Sequence, residues 1–390
     1  MKRLVYLAPV PLHSPSQRPH HFVWWARERL GCDVWWIEPY PVRLPRWNDV
    51  HRLNRKTRCS LGPAWSHDNW LHVLSARYLP LEPLPGGARL LGWMQRPLRA
   101  QLHALLEQED TWLAVGRPSG LALALCAARQ GQRVLYDVMD DMPQFSQGLS
   151  RRWMGRTHDA LLGQAEVVWG SSGHIVAGLE GRTRRSATLV RNGSVPVPPL
   201  TSEALASVGV GTAAHARAPL VLGYVGTIAA WFDWLALRKL ALALPDARIH
   251  LYGPLEGPRP AALPENVELR GPVAHAAVFD LMRQWHAGLI PFIQNTLTQS
   301  VDPVKYYEYR ACGLPVLTTL FGEMPHHADT DDGVWPLETL ATEGFEERLR
   351  SWHRELELLC AQGLPLGPDS LLSATWATRF EAGASVCGWV

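Results

Sequence analysis

The sequence predicts an α/β protein built from two doubly wound, parallel-sheet domains. Three observations carry this. Short apolar runs of strand length alternate with helical stretches along most of the chain. The series starts twice, at residue 4 and again at residue 220, and a stretch rich in Pro, Gly, Ala, Ser and Thr (196–219) separates the two starts. A length of 390 residues also suits two medium domains, each able to bury a core of its own.

The first series opens with LVYLAP (4–9), a β-type run followed by a proline-rich loop. HFVWWARERLG (21–31) follows in helical periodicity and stops at Gly31, and DVWWIEP (33–39) is strand-like again. Further strands are expected at WLHVLS (70–75), TWLAVG (111–116), QRVLYDV (132–138), AEVVWGSS (165–172) and ATLVRNG (187–193), with helices such as GLALALCAARQG (120–131) between them. The second series runs LVLGYVG (220–226), a helix near 233–244, RIHLYGP (248–254), VELRGPV (267–273), a helix near 275–285, AGLIPF (287–292), a helix over 303–312, and LPVLTT (314–319). The expected organisation is therefore a domain over 1–195, a linker over 196–218, a second domain over 219–365, and a closing segment over 366–390. Two such sheets predict a cleft, with ligands at the carboxyl ends of the strands.

Composition excludes several classes. Six scattered cysteines include no pair at zinc-ligand or redox spacing, so free thiols in a reducing cytoplasm are the plain expectation. The start, MKRLVYLAPVPLHSP, has too short an apolar core for a signal peptide, and the longest apolar-rich run, Pro219 to Phe232, falls short of the ~18–20 residues of a spanning helix. Net charge is only +2, but residues 1–200 carry 25 Lys+Arg against 15 Asp+Glu, whereas residues 201–390 carry 13 against 21. A first half at +10 and a second at −8 predict that the first half meets something anionic. Basic clusters RRWMGR (151–156) and GRTRR (181–185), with Trp24, Trp25 and Trp153, suggest an anionic membrane interface, so peripheral attachment is expected rather than insertion.

The chemistry concentrates in SVDPVKYYEYRACGLPVLTT (300–319). Asp302 reads as the N-cap, Pro303 as the first helical residue and Gly313 as the stop. Lys305 sits in the first turn, where a cation opposes the helix dipole. Glu308 and Tyr309 lie three and four residues on, along the same face. A cation near a helix start with an acceptor one turn later suits a nucleoside diphosphate: ammonium and amides for phosphates, carboxylate for ribose hydroxyls. The plain alternative is a surface ion pair at i,i+3. Gly226 and Thr227, at the end of the first strand of the second series, would let phosphate or sugar approach the backbone. Neither GxGxxG nor GxxxxGK[ST] is present. In the first half Asp137, Asp140 and Asp141 end a strand, as candidate proton acceptors or as caps of the following turn. The loop HSPSQRPHHF (13–22) offers Arg18, His20 and His21 as candidate acceptor- or anion-binding groups.

These residues resemble a glycosyltransferase of the GT-B fold. The strongest part, "DPVKYYEYRACGLPVLTT", is similar to the donor-site signature of bacterial group 1 and family 4 glycosyltransferases, and "GYVGTIAAWFDW", "IHLYGP" and "NVELRGPVAHAAVFDLMRQWHAGLIPF" follow in that family's order. "QRPHH" and "YDVMDD" resemble the subgroup of teichuronic-acid transferases and the xanthan glucuronosyltransferase. "SATWATRF" resembles the final helix that crosses back onto the first domain. The resemblance implies a sugar transferred from a nucleotide-diphosphate donor, UDP-linked, to a lipid-linked glycan in cell-surface polysaccharide synthesis, with no metal and no other cofactor. It implies that Lys305 binds the diphosphate, Glu308 the ribose or a phosphate, Gly226 and Thr227 the phosphates, and the backbone of Gly271 to Ala274, including Val273, the uracil. Asp140 or Asp141 would be the base. Two departures stand out: Ser300 replaces the first of the family's two glutamates, and no cation precedes Arg238 after the glycine loop. Family 4 implies retention and the glucuronosyltransferase branch inversion, so stereochemistry stays open. A nucleotide-sugar epimerase and a non-catalytic sugar-binding protein are the rival readings.

Overall fold

The computed structural model describes residues 1–389 apart from 46–67, 77, 184–185, 197–218, 275–276, 342–343 and 363–373. The predicted linker (196–218) falls almost wholly outside the described residues, as do Arg184 and Arg185 of the second basic cluster. The chain forms two compact units. One comprises Met1–Arg191 together with Trp376–Val390, the other Asn192–Thr375.

The first unit is a seven-stranded sheet, all parallel, of β1 (Arg3–Leu7), β2 (Asp33–Ile37), β3 (Leu71–Leu74), β4 (Thr111–Val115), β5 (Val134–Val138), β6 (Val167–Gly170) and β7 (Thr188–Leu189). Their spatial order is β3-β2-β1-β4-β5-β6-β7. Every residue of β4 and β5 is buried, as expected where helices cover both faces of a parallel sheet. Helix starts are fixed locally: Ser119 accepts from the Ala122 amide and Ser172 from the Ile175 amide. The closing helix, Trp376–Cys387, lies on the first helix, Arg18–Leu30, through an aromatic cluster in which Phe380 meets Phe22 at 5.4 Å and Trp25 at 5.9 Å between ring centroids.

The second unit is a six-stranded parallel sheet of β8 (Val221–Val225), β9 (Arg248–Tyr252), β10 (Val267–Gly271), β11 (Ala287–Ile290), β12 (Val316–Thr318) and β13 (Val334–Pro336), ordered β10-β9-β8-β11-β12-β13. The order reverses between β8 and β11, and ligands of open α/β sheets gather at such a point, beyond the carboxyl ends of the strands. The loop after β8 does not run straight into a helix. It folds back until Phe232 bridges Phe292 after β11, and only then does Asp233 cap the helix Trp234–Ala243 through the Leu235 and Ala236 amides.

Among the described residues no helix is long and apolar enough to cross a membrane. The tryptophans do not form the single exposed surface that the sequence suggested. Trp24 is exposed, but Trp25 is buried in the aromatic cluster and Trp153 is half-buried.

Candidate active site

The helix Val304–Ala311 is held in the second unit by an unusual number of polar anchors. Arg310 forms a two-pronged ion pair with Asp331, Nε to Oδ2 at 2.8 Å and Nη2 to Oδ1 at 3.0 Å, and the Tyr306 hydroxyl donates to the same carboxylate at 3.1 Å. Asp302 corrects an expectation: it does not cap the helix. Pro303 takes the N-cap position, and the Asp302 carboxylate accepts instead from the Asn192 amide (2.9 Å), the Tyr307 hydroxyl (2.9 Å) and His327 Nε2 (3.0 Å). The physical reason is burial. A carboxylate 3% exposed needs several donors, and one helix end supplies too few.

Tyr309 is likewise structural rather than ligand-facing. Wholly buried, it fills the space that a side chain on Gly288 would need, since a Cβ there would fall 2.3 Å from its ring. Its hydroxyl accepts from the Val225 amide at 3.2 Å, which ties the helix to β8.

With these side chains turned inward, Lys305 and Glu308 remain at the surface of the helix, each half-buried. Among the described residues neither has a hydrogen-bond or ion-pair partner within reach, and the alternative reading, an i,i+3 ion pair between them, is not formed. Burial pushes the Lys305 ammonium below the usual lysine value, with Glu308 acting the other way. Burial pushes the Glu308 carboxyl up, with Lys305 opposing. Each charge therefore sits where a ligand of opposite polarity would lower its energy. Lys305 Nζ stands 5.7 Å from the Tyr224 ring centre and lies against Gly226, at the carboxyl end of β8.

Gly226 (φ 147°) and Gly253 (φ 140°) follow neighbouring strands, and a Cβ on Gly253 would fall 1.9 Å from the Gly226 carbonyl oxygen. The Gly226 amide donates to the Tyr252 carbonyl and the Gly253 amide to the Gly271 carbonyl, both at 2.8 Å. Gly253 thus belongs to the floor of the site. The sequence reading quoted it within IHLYGP without giving it a role, because its contact with Gly226 spans separate strands. Thr227 is half-buried beside this floor, and its carbonyl accepts from the Tyr224 hydroxyl at 2.8 Å. Val273 packs partly against the core just beyond Gly271. Ser300 is 2% exposed, so the position expected to lack a glutamate is turned into protein.

In the first unit the acids at the end of β5 separate by environment. Asp137 is 1% exposed and locked to Arg18, Nε to Oδ2 at 2.9 Å and Nη2 to Oδ1 at 2.8 Å, while Arg18 Nη1 donates to the Val190 carbonyl at 2.7 Å. This corrects two expectations. Asp137 is the counter-ion of a buried arginine rather than a base, and Arg18 is a clamp rather than an open anion site. His20 is also spent: Nδ1 accepts from the Gln17 amide (3.1 Å) and Nε2 faces the Leu12 carbonyl (3.0 Å), which fixes the loop. Burial lowers its pKa, in keeping with a neutral ring. His21 stacks on Trp376 at 5.1 Å.

Asp140 and Asp141 behave differently. Asp141 precedes a short 3-10 turn, Met142–Phe145, but neither carboxylate caps it. Neither has a hydrogen-bond or ion-pair partner among the described residues. Burial raises the Asp140 carboxyl to about 7, with Arg18 opposing and Asp137 and Asp141 adding to the rise. A carboxylate at that value can take a proton near neutral pH.

Two parallel α/β units of this kind, compared with solved structures, match whole chains. HepE of Anabaena, in complex with UDP and glucose, aligns over 100% of both chains with a TM-score of 0.63 at 12% identity. The sucrose-phosphate synthase of Thermosynechococcus elongatus aligns over 100% of this chain and 99% of its own, with a TM-score of 0.62 at 15% identity. WaaG, a glycosyltransferase involved in lipopolysaccharide biosynthesis, gives 0.56 at 13% over the full length of both. This is the GT-B fold. No family model matches the chain. Over 108 residues it is 31% identical to TuaH of Bacillus subtilis (strain 168), whose name provisionally makes it a teichuronic acid biosynthesis glycosyltransferase. The match spans 26% of this chain and 27% of that protein, about a quarter of either. In GT-B terms, the sites above lie one in each Rossmann-like unit: Lys305, Glu308 and the glycine floor in the second, Asp140 and Asp141 in the first.

Proposed function

We propose that the protein is a glycosyltransferase that takes a sugar from a UDP-sugar and adds it to a growing, lipid-linked glycan. The observation that carries this reading is the pair Lys305 and Glu308, neither hydrogen-bonded nor ion-paired among the described residues, beside the glycine floor at the carboxyl end of β8. Lys305 and the Thr227 amide would bind the diphosphate and stabilise it as a leaving group, and Glu308 would accept from ribose hydroxyls. No metal is invoked for this. Should the reaction invert, Asp140 would remove the acceptor proton. The neighbour solved with UDP and glucose and the partial likeness to a teichuronic acid protein support the donor and the glycan class.

The helix Gly87–Met94 supports the lipid-linked part. It exposes Leu90, Trp93 and Met94 at i, i+3 and i+4, with exposed Arg89 and Arg96 alongside, an arrangement suited to an anionic membrane surface.

Purified protein incubated with UDP- and GDP-sugars and a polyprenyl-diphosphate-linked acceptor tests the reading. Elongated acceptor together with free UDP is the expected result. An epimerised donor, or donor binding without turnover, would overturn it in favour of the isomerase or the binding protein.

A further inference from the structure

A cavity of about 410 Å³ opens in the first unit, lined by none of the residues assigned above to donor binding or proton transfer. It falls within the ~300–1,000 Å³ of small-molecule sites. Helix Gly87–Met94 contributes Gly92, the following helix (Arg96–Leu106) contributes Arg99, and helix Gly148–Leu162 contributes Trp153 and Arg156. Glu82 and Gly120 complete the inner side.

The polar groups here do not satisfy one another. Glu82 is 2% exposed, and both of its donors use one oxygen: the Tyr40 hydroxyl at 2.7 Å and the Gly120 amide at 2.9 Å reach Oε1. Buried Oε2 has no hydrogen-bond partner among the described residues. Leaving such an oxygen unpaired costs on the order of a lost hydrogen bond, so a group that fills it binds with that advantage. Half-buried Arg99 and exposed Arg156 at the mouth have no carboxylate or carbonyl partner among the described residues and are open to a ligand. Burial raises the Glu82 carboxyl to about 7, so near neutral pH it can donate as well as accept a hydrogen bond.

We propose that this cavity is a second binding site, for an anionic, hydroxylated ring such as a uronate or a sugar phosphate. The guanidinium groups of Arg99 and Arg156 take the anionic group. The ring lies against Trp153, with its hydroxyls towards the Glu82 side of the cavity. The site goes beyond the donor reading and stands without it, since binding is read directly and no donor is needed.

Saturation-transfer NMR on the full chain, with methyl glucuronide, glucose 6-phosphate and methyl glucoside as separate probes, tests it. Transfer to the glucuronide or to the sugar phosphate is expected, and whichever is stronger identifies the anion. The neutral glucoside should bind roughly tenfold or more weakly, because it forgoes the charge-assisted contacts. Gly92→Leu should abolish transfer: a Cβ there meets only Arg99 Nη1, at 3.9 Å, so the side chain enters the mouth without strain and favours the helix. Silence from all three probes, equal transfer to the neutral sugar, or undiminished transfer in Gly92→Leu would overturn the proposal. Should Gly92→Leu fail to fold, the double variant Arg99→Gln, Arg156→Gln decides, and a retained preference for anionic probes then overturns it.

Discussion

Lys305 occupies the space that a side chain on Gly226 would need, for a Cβ built there falls 2.4 Å from Cε and 2.6 Å from Nζ. Gly226→Ala must therefore push the ammonium off the end of β8, and at φ 147° it adds backbone strain of about 1–3 kcal/mol. The expected result is a folded protein with kcat/KM for the nucleotide sugar lowered by about 100-fold, as misplacement of a reacting or binding group typically costs. Steady-state kinetics beside a thermal melt would check it.

Lys305→Met separates function from stability. Loss of about 100- to 1,000-fold in turnover is expected if the ammonium stabilises the leaving diphosphate. Because burial lowers the lysine pKa, the folded state holds its proton less tightly than the unfolded state, so wild-type stability should rise with pH towards 10.5 relative to Lys305→Met. Urea melts from pH 8 to 10.5 give the slope, and unchanged turnover would refute the donor role.

For Asp140 the sign runs the other way. A carboxyl raised from 3.8 to about 7 binds its proton more tightly when folded, so it adds stability below about 4 and loses that advantage as pH rises through 7. Asp140→Asn should then melt higher than wild type at pH 8. If Asp140 is the base, turnover of the wild type should fall below pH 7 and the variant should be inactive throughout. A pH–rate profile with parallel melts reads both.

Asp331→Ala removes the counter-ion of Arg310, which is 2% exposed, and also the acceptor of the Tyr306 hydroxyl. An uncompensated buried guanidinium costs about 3–5 kcal/mol. Chemical denaturation should show a loss of this size, whereas a loss under 1 kcal/mol would mean that the helix is held by packing alone.

Trp93→Asp tests the membrane face. Trp93 is 60% exposed, so the substitution should leave the melting temperature unchanged while reducing co-sedimentation with phosphatidylglycerol vesicles. Equal sedimentation of both proteins would remove this helix from the reading.

Twelve of the thirteen strands among the described residues fall within the short strand-like segments read from the sequence, the fully buried β4, β5 and β6 most plainly because buried parallel strands read as apolar runs. The exception, β13, is an edge strand of three residues, Val334–Pro336, with the acids Asp331 and Asp332 before it and no apolar run around it. The placement of Lys305, Glu308 and Gly226 was legible because it follows from local position at helix and strand ends. The roles of Arg18 and Asp302 were not. Asp137 lies 119 residues from Arg18, and Asp302 draws its donors from residues 192, 307 and 327, so burial rather than spacing decides what each charge does. The cavity at Glu82 was invisible for the same reason, although its Trp153 and Arg156 stand in a basic cluster the sequence singles out.

The discontinuity of the first unit has a consequence for biosynthesis. Phe380 is fully buried, and it seals a cluster made by Phe22, Trp25 and Trp169, yet it leaves the ribosome after the whole of the second unit. Domains ordinarily complete themselves in the order of synthesis. Here the unit made first waits with an open aromatic seam until the last helix arrives, so a nascent chain halted before residue 376 should be the species that chaperones hold.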